Sequence, residues 1–156
     1  MATDTLVFVS CADSGELHVL RLASDSGQLR TEQVLALGGQ LMPMALSPNG
    51  TRLYVARRSD PLAVVTLAVD ARAGCAEVLS EAALPASMAH LATDNTGRWL
   101  LSASYGADLV AVQAIAANGV VAAGRGATTY ATGRHAHSAL ASPGNRFVLA
   151  ASLGGG

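Results

Sequence analysis

Two histidines separated by one alanine, His135-Ala136-His137, are the residues of this chain best suited to chemistry. An imidazole titrates near neutrality, so it can take a proton from an attacking group and return it to a leaving group. Arg134 abuts the pair, and Arg57-Arg58 stands further upstream. A guanidinium grips phosphate or carboxylate through a planar fork of N–H groups. Tyr105 adds a hydroxyl that can donate to a carbonyl or sugar oxygen. No Gly-x-Ser-x-Gly elbow occurs, so a serine-triad hydrolase is unsupported. The His-x-His spacing has no third and fourth ligand nearby in sequence, so neither a metal nor another cofactor is expected.

The elements that must position these side chains are short apolar strands in a repeating unit. Ser47-Pro48-Asn49-Gly50, Thr93-Asp94-Asn95-Thr96-Gly97 and Ser142-Pro143-Gly144-Asn145 are turns, each followed by an arginine and an apolar run. Arg52, Arg98 and Arg146 are spaced by 46 and then 48 residues, a period that signals β-propeller blades. Strands are predicted over 5–10, 16–22, 29–37, 42–46, 52–56, 62–69, 76–83, 88–92, 99–104, 109–115, 120–128, 136–141 and 147–152. The fold expected is all-β, with blades of four antiparallel strands and about three and a half blades of a seven-bladed ring. Blade 1, lacking its inner strand, takes residues 1–38, blade 2 takes 39–84, blade 3 takes 85–132, and the first half of blade 4 takes 133–156.

Strand order alone brings distant residues together. Successive turns of an antiparallel blade fall on alternate ends of the ring. The Ser-Pro and Asp-Asn turns share one end. Arg58, Tyr105, Asp108, Arg134, His135 and His137 lie in or beside connections at the other end, near the central channel. His135 and His137 are two residues apart, so they are expected on one strand face. His90 falls within an inner strand in apolar surroundings and reads as a core histidine, and His18 lies on an outer strand with no role.

Composition narrows the partners. Hydrophobic residues make up 51% of the 156 and charged residues 13%, which suits sheets buried on both faces. A net charge of −1 gives no electrostatic case for nucleic acid or an anionic membrane. Residues 107–124 are apolar but interrupted by Asp108, Gln113 and Asn118-Gly119, which reads as two strands about a turn rather than a membrane helix. Cys11 and Cys75 lack paired spacing and read as reduced thiols, and the first residues lack a basic n-region, so a cytoplasmic protein is expected.

Several stretches in order resemble the bacterial lactonase family of seven-bladed propellers, typified by the propeller-type 6-phosphogluconolactonase. They are Thr5–Ser10 with Gly15-Glu16-Leu17-His18-Val19, then Leu41–Pro48 with Leu53-Tyr54-Val55. Leu84-Pro85-Ala86-Ser87, His90, Thr93-Asp94 and Ser104-Tyr105-Gly106 follow, and then His135-Ala136-His137-Ser138, Ser142-Pro143, Asn145-Arg146 and Ser152-Leu153-Gly154. The likeness spans nearly all of this chain and about half of a family member.

The resemblance implies a metal-free hydrolase of the pentose phosphate pathway that opens 6-phospho-D-glucono-1,5-lactone, a small anionic sugar lactone. It implies His137, which matches the family histidine before Ser, as general acid and base; His135, two residues away, is expected from its position to orient it or touch substrate. Arg58 aligns with an arginine after the second-blade strand and is expected on the substrate phosphate, with Arg134 and Tyr105 as further substrate contacts. The alternatives are a non-catalytic propeller scaffold and a lactonase or cycloisomerase of carboxymuconate-type lactones. The last repeat stops after two strands, so either further residues or a second chain is expected to cover the open blade. Two copies would bring roughly 26 strands, close to the roughly 28 of seven four-stranded blades, which makes self-association one expectation.

Overall fold

The computed structural model describes residues 4–124 and 126–154. Among them are thirteen strands and no helix, hence no helix long and apolar enough to cross a membrane. Every strand pair is antiparallel. The first sheet is β1 (Thr5–Cys11), β2 (Glu16–Leu22) and β3 (Leu29–Ala36), in that order. The second is β4 (Leu41–Leu46), β5 (Arg52–Arg57), β6 (Ala63–Asp70) and β7 (Cys75–Ala83). The third is β8 (His90–Thr93), β9 (Trp99–Ser104), β10 (Leu109–Ala114) and β11 (Thr128–Ala131). The fourth holds β12 (Ala136–Ala141) and β13 (Val148–Ser152).

The core lies between the sheets. Leu17, Val19, Leu41, Leu53, Val55 and Leu67 form the cluster between the first and second. Tyr54, Ala56, Met88, Leu91, Leu100 and Val121 fill the next interface. Leu101, Ala103, Val110, Ala136 and Ala139 fill the third. Alternate residues of β5 point to opposite interfaces, because successive side chains of a strand leave opposite faces. This double burial explains the near-continuous apolar composition of β5, β6 and β9. In the fourth sheet and its turn, Leu140, Phe147 and Leu149 stand at least half exposed.

Two strands differ from the sequence expectation. Residues 120–128 do not form the fourth strand of the third sheet. Val121 forms an isolated bridge to Ile115, and the strand itself starts only at Thr128, the last residue of that range, as β11. Gly124 and Gly126 offer no side chain to pack, whereas Thr128-Thr129-Tyr130 is β-branched and aromatic and rejoins the ladder. Arg125 of the expected strand lies outside the described residues. The inner strand predicted at 88–92 begins at His90. The Ser87 carbonyl accepts a hydrogen bond from Ser104 Oγ (2.8 Å), while the Ala89 N–H still reaches the Ala103 carbonyl of β9 (2.8 Å). The hairpin about Asn118-Gly119 forms as expected, with the Gly119 N–H on the Ala116 carbonyl at 2.8 Å. Cys11 and Cys75 are free thiols.

Candidate active site

Three connections meet at one end of the sheets. The β5–β6 loop carries Arg58, the β9–β10 loop carries Tyr105 and Asp108, and the segment entering β12 carries Arg134 and His135. The Tyr105 ring stacks on the His135 ring with centroids 4.3 Å apart and planes 11° apart. The same Tyr105 ring meets His137 edge-on, at 5.9 Å and 88°. One tyrosine thus contacts both histidines.

The two histidines arrive there by different routes, which corrects the expectation of a shared strand face. His135 precedes β12 and has φ of 63°, in the left-handed region. His137 lies at a β-bulge: Ala136 faces Ser152 while Ser138 faces Ala151, so the alternation breaks between them. Bulges re-aim a side chain relative to the regular pleat. The left-handed turn and the bulge together put both rings on Tyr105.

Asp108 fixes the turn. Its Oδ1 accepts the His135 backbone N–H at 2.7 Å and stands 3.9 Å from His135 Nδ1. Nδ1 lies 3.3 Å from the Tyr105 carbonyl. A carbonyl only accepts, so Nδ1 carries the proton and the neutral ring keeps its lone pair on Nε2. Gly154 closes the turn from the other side. Its N–H bonds the Arg134 carbonyl at 3.0 Å, and a Cβ there would stand 2.9 Å from Arg134 Cβ and 3.1 Å from His135 Cδ2.

Arg58 is half-buried, and its Nε donates to Ser87 Oγ at 3.0 Å. Ser87 is also tied to Ser104, the neighbour of Tyr105, so a hydrogen-bonded path links the arginine to the aromatic cluster. Arg57 is held elsewhere, by Glu81 (2.5 and 3.3 Å) and the Pro61 carbonyl (3.1 Å), and fastens its loop. Arg134 is exposed at the rim beside His135. His18 bonds Glu16 at 3.2 Å, on β2.

His90 lies in the inner strand β8, as expected, and reaches across to the fourth sheet. Its Nδ1 accepts the Ala139 N–H at 3.4 Å, so the neutral ring carries its proton on Nε2. Burial, and then the nearby His137, hold its pKa below the ordinary histidine value. An isolated apolar context hid this neighbour, because the contact crosses from the third sheet to the fourth. Asp108, by contrast, was visible as an acid three residues from Tyr105. Among the described residues no group of three His, Cys, Asp or Glu is placed to hold a metal ion.

The fold and this arrangement can be set beside known proteins. Residues 5–156 match the family described as lactonase, 7-bladed beta-propeller. The chain belongs to this lactonase family. It is 40% identical over 116 residues to the 6-phosphogluconolactonase of Pectobacterium atrosepticum, covering 74% of this chain and 34% of that protein. It is 38% identical over 118 residues to that of Serratia proteamaculans, covering 76% and 35%. The chain therefore spans about a third of the length of these curated relatives. A periplasmic gluconolactonase of Pseudomonas aeruginosa superposes on 97% of this chain and 47% of its own, with a TM-score of 0.81 at 20% identity. That likeness shows the fold.

Proposed function

We propose that the propeller containing this chain hydrolyses 6-phospho-D-glucono-1,5-lactone to 6-phosphogluconate, within the cytosolic pentose phosphate pathway. The observation that carries the reading is the contact of one tyrosine with two histidines, linked through two serines to an arginine. The 6-phosphogluconolactonase relatives at about 40% identity supply the substrate class.

In this reading His137 takes a proton from water as hydroxide adds to the lactone C1 carbonyl. The Tyr105 hydroxyl donates to the oxyanion that forms. Collapse breaks the bond from C1 to the ring oxygen, and the His137 imidazolium returns its proton to that oxygen. The new carboxylic acid then ionises to solvent. His135, fixed by Asp108, holds the Tyr105 ring. Arg58 and Arg134 take the phosphate, with further walls from blades outside these residues.

The test is hydrolysis of freshly prepared phosphogluconolactone by the intact protein, corrected for spontaneous opening. His137→Ala is expected to lower kcat by about 100-fold or more. A folded protein with no rate above background would favour a scaffold. A faster rate on a carboxymuconate-type lactone would move the substrate to that class.

A further inference from the structure

The end of the sheets opposite the histidine cluster carries a cavity of about 440 Å³, between the second and third sheets. Its walls come from the β4–β5 turn, the β8–β9 turn and the hairpin at residues 115–119. All three belong to sheets with four strands, so the cavity is complete within this chain. It contains two arginines of the repeating turns, Arg52 and Arg98, and none of the described residues lining it is acidic. Arg52 and Arg57 bound β5 at its two ends, and six strand residues span roughly 20 Å, which separates this cavity from the Arg58 loop.

The two guanidiniums are held differently. Arg52 lies flat on the Asn118-Gly119 turn: Nε and Nη2 donate to the Asn118 carbonyl at 3.2 and 3.0 Å, and Nη1 to the Thr51 carbonyl at 2.8 Å. Gly119 permits this approach, since its φ is 83° and a Cβ there would meet Arg52 Cγ at 2.8 Å. A guanidinium has five N–H donors, and these bonds leave two of them for a ligand. Arg98 makes one long contact, Nε to Thr96 Oγ1 at 3.4 Å, and leaves four. The acid nearest in sequence, Asp94, is buried and directs its oxygens to Thr96, Asn145 and the backbone of its own turn. Neither arginine has an acidic ion-pair partner among the described residues, unlike Arg57 and Arg21. Ile115, Ala116 and Ala117 supply an apolar wall beside them.

We propose that this cavity binds a compact organic phosphate, at a site distinct from the candidate active site. Two cationic forks with unused donors match a dianion with three terminal oxygens, and a monocarboxylate would leave one charge unmatched. The apolar wall takes the carbon skeleton, and the volume suits a small metabolite.

The experiment is calorimetric titration of the intact protein with glycerol 3-phosphate, inorganic phosphate and acetate, at low salt. Wild type and His137→Ala are expected to bind glycerol 3-phosphate alike, more tightly than inorganic phosphate and far more tightly than acetate. Arg98→Ala is expected to weaken it at least tenfold, with Arg98→Lys recovering part of the loss. Among the described residues the Arg98 side chain makes only the long Thr96 bond, and alanine keeps its backbone bonds to Asp94 and Ile115, so this variant should retain the wild-type melting temperature. Arg52→Lys tests the second fork and should weaken binding while keeping a cation on the turn. No saturable binding overturns the proposal. Binding lost in Arg58→Ala but kept in Arg98→Ala assigns the phosphate to the other end and also overturns it. Equal affinity for inorganic phosphate and glycerol 3-phosphate removes the organic part of the claim.

Discussion

Tyr105 and His135 lie face to face, 4.3 Å between ring centroids, although they are thirty residues apart and stand in connections of different sheets. The pair joins the third sheet to the fourth at the end where the other candidate residues gather. A stacked aromatic pair contributes about 1 kcal/mol beyond its buried area. Its stacking and its hydroxyl can be separated by substitution. Tyr105→Phe should leave the melting temperature within a degree or two and lower lactone hydrolysis about tenfold. Tyr105→Leu should lower both. Thermal unfolding and initial rates, measured side by side, distinguish the hydroxyl from the ring. A Tyr105→Phe protein with an unchanged rate would remove the hydroxyl from the mechanism.

Gly154 gives a test of positioning from outside the cluster. A Cβ at this residue would press on Arg134 Cβ and His135 Cδ2. Gly154→Ala should therefore shift the His135 ring and reduce kcat by about tenfold, since small displacements of catalytic groups have large effects. The fold has an open surface there, so the urea midpoint should move little. Unchanged His135 and Tyr105 ring resonances in this variant would show that the turn yields without moving the site.

Asp108 holds two strained positions at once. It has φ of 53° and caps His135, whose φ is 63°. Asp and Asn tolerate this region better than alanine, because a short polar side chain bonds locally. Asp108→Ala should destabilise by about 2 kcal/mol, from added strain and a lost hydrogen bond to the backbone. Asp108→Asn should recover most of it, as read from denaturant midpoints.

The pKa of His90 is lowered first by burial and then by His137. His137→Ala removes the smaller cause, so the His90 titration followed by NMR should rise toward, without reaching, the ordinary value. A folded pKa below the unfolded one means that the unfolded chain binds this proton more readily. His90 should therefore cost stability as pH falls below about 6.5, and His90→Phe should flatten that part of the stability profile.

Asp94 behaves in the opposite range. Burial alone would raise its pKa, but hydrogen bonds from Thr96, from Asn145 and from the backbone of Trp99 and Thr96 outweigh it and hold the value at about 2. Its contribution is complete above the unfolded value near 3.8 and is lost as pH falls toward 2. Asp94→Asn should destabilise at pH 6 by about 2 kcal/mol and make little difference at pH 2. Asn145→Ala should reproduce part of this loss, because Asn145 ties the fourth sheet to the same carboxylate.

The strands were legible because period and turn chemistry agree: Ser-Pro or Asp-Asn, then an arginine, then an apolar run. The end of the ring on which Arg58, Tyr105 and His135 gather followed from strand direction alone. What the residues could not show was how His135 and His137 reach one tyrosine. A left-handed residue at His135 and a bulge at His137 are local departures from the pleat, and a period-two reading assumes neither. His90 lies in its expected inner strand, but its partner was not visible for a related reason: Ala139 belongs to another sheet. The weak strand at 120–128 failed where Gly124 and Gly126 remove the side chains that would hold it. The period of the turn arginines was visible, but not that Arg52 bonds a carbonyl of the next sheet's hairpin while Arg98 makes one long contact within its own turn.

The alternation along β5 has a wider consequence. Leu53 and Val55 belong to one core cluster, while Tyr54 and Ala56 belong to the next. A single six-residue strand is therefore shared property of two interfaces, and neither cluster closes without it. Unfolding of one sheet exposes both of its neighbours, so cooperativity passes along the ring as couplings between adjacent blades rather than residing in any one of them. Hydrogen exchange should show this as protection graded by position, deepest in β5 and β9, where both faces are covered, and shallowest in β13, where the outer residues meet solvent.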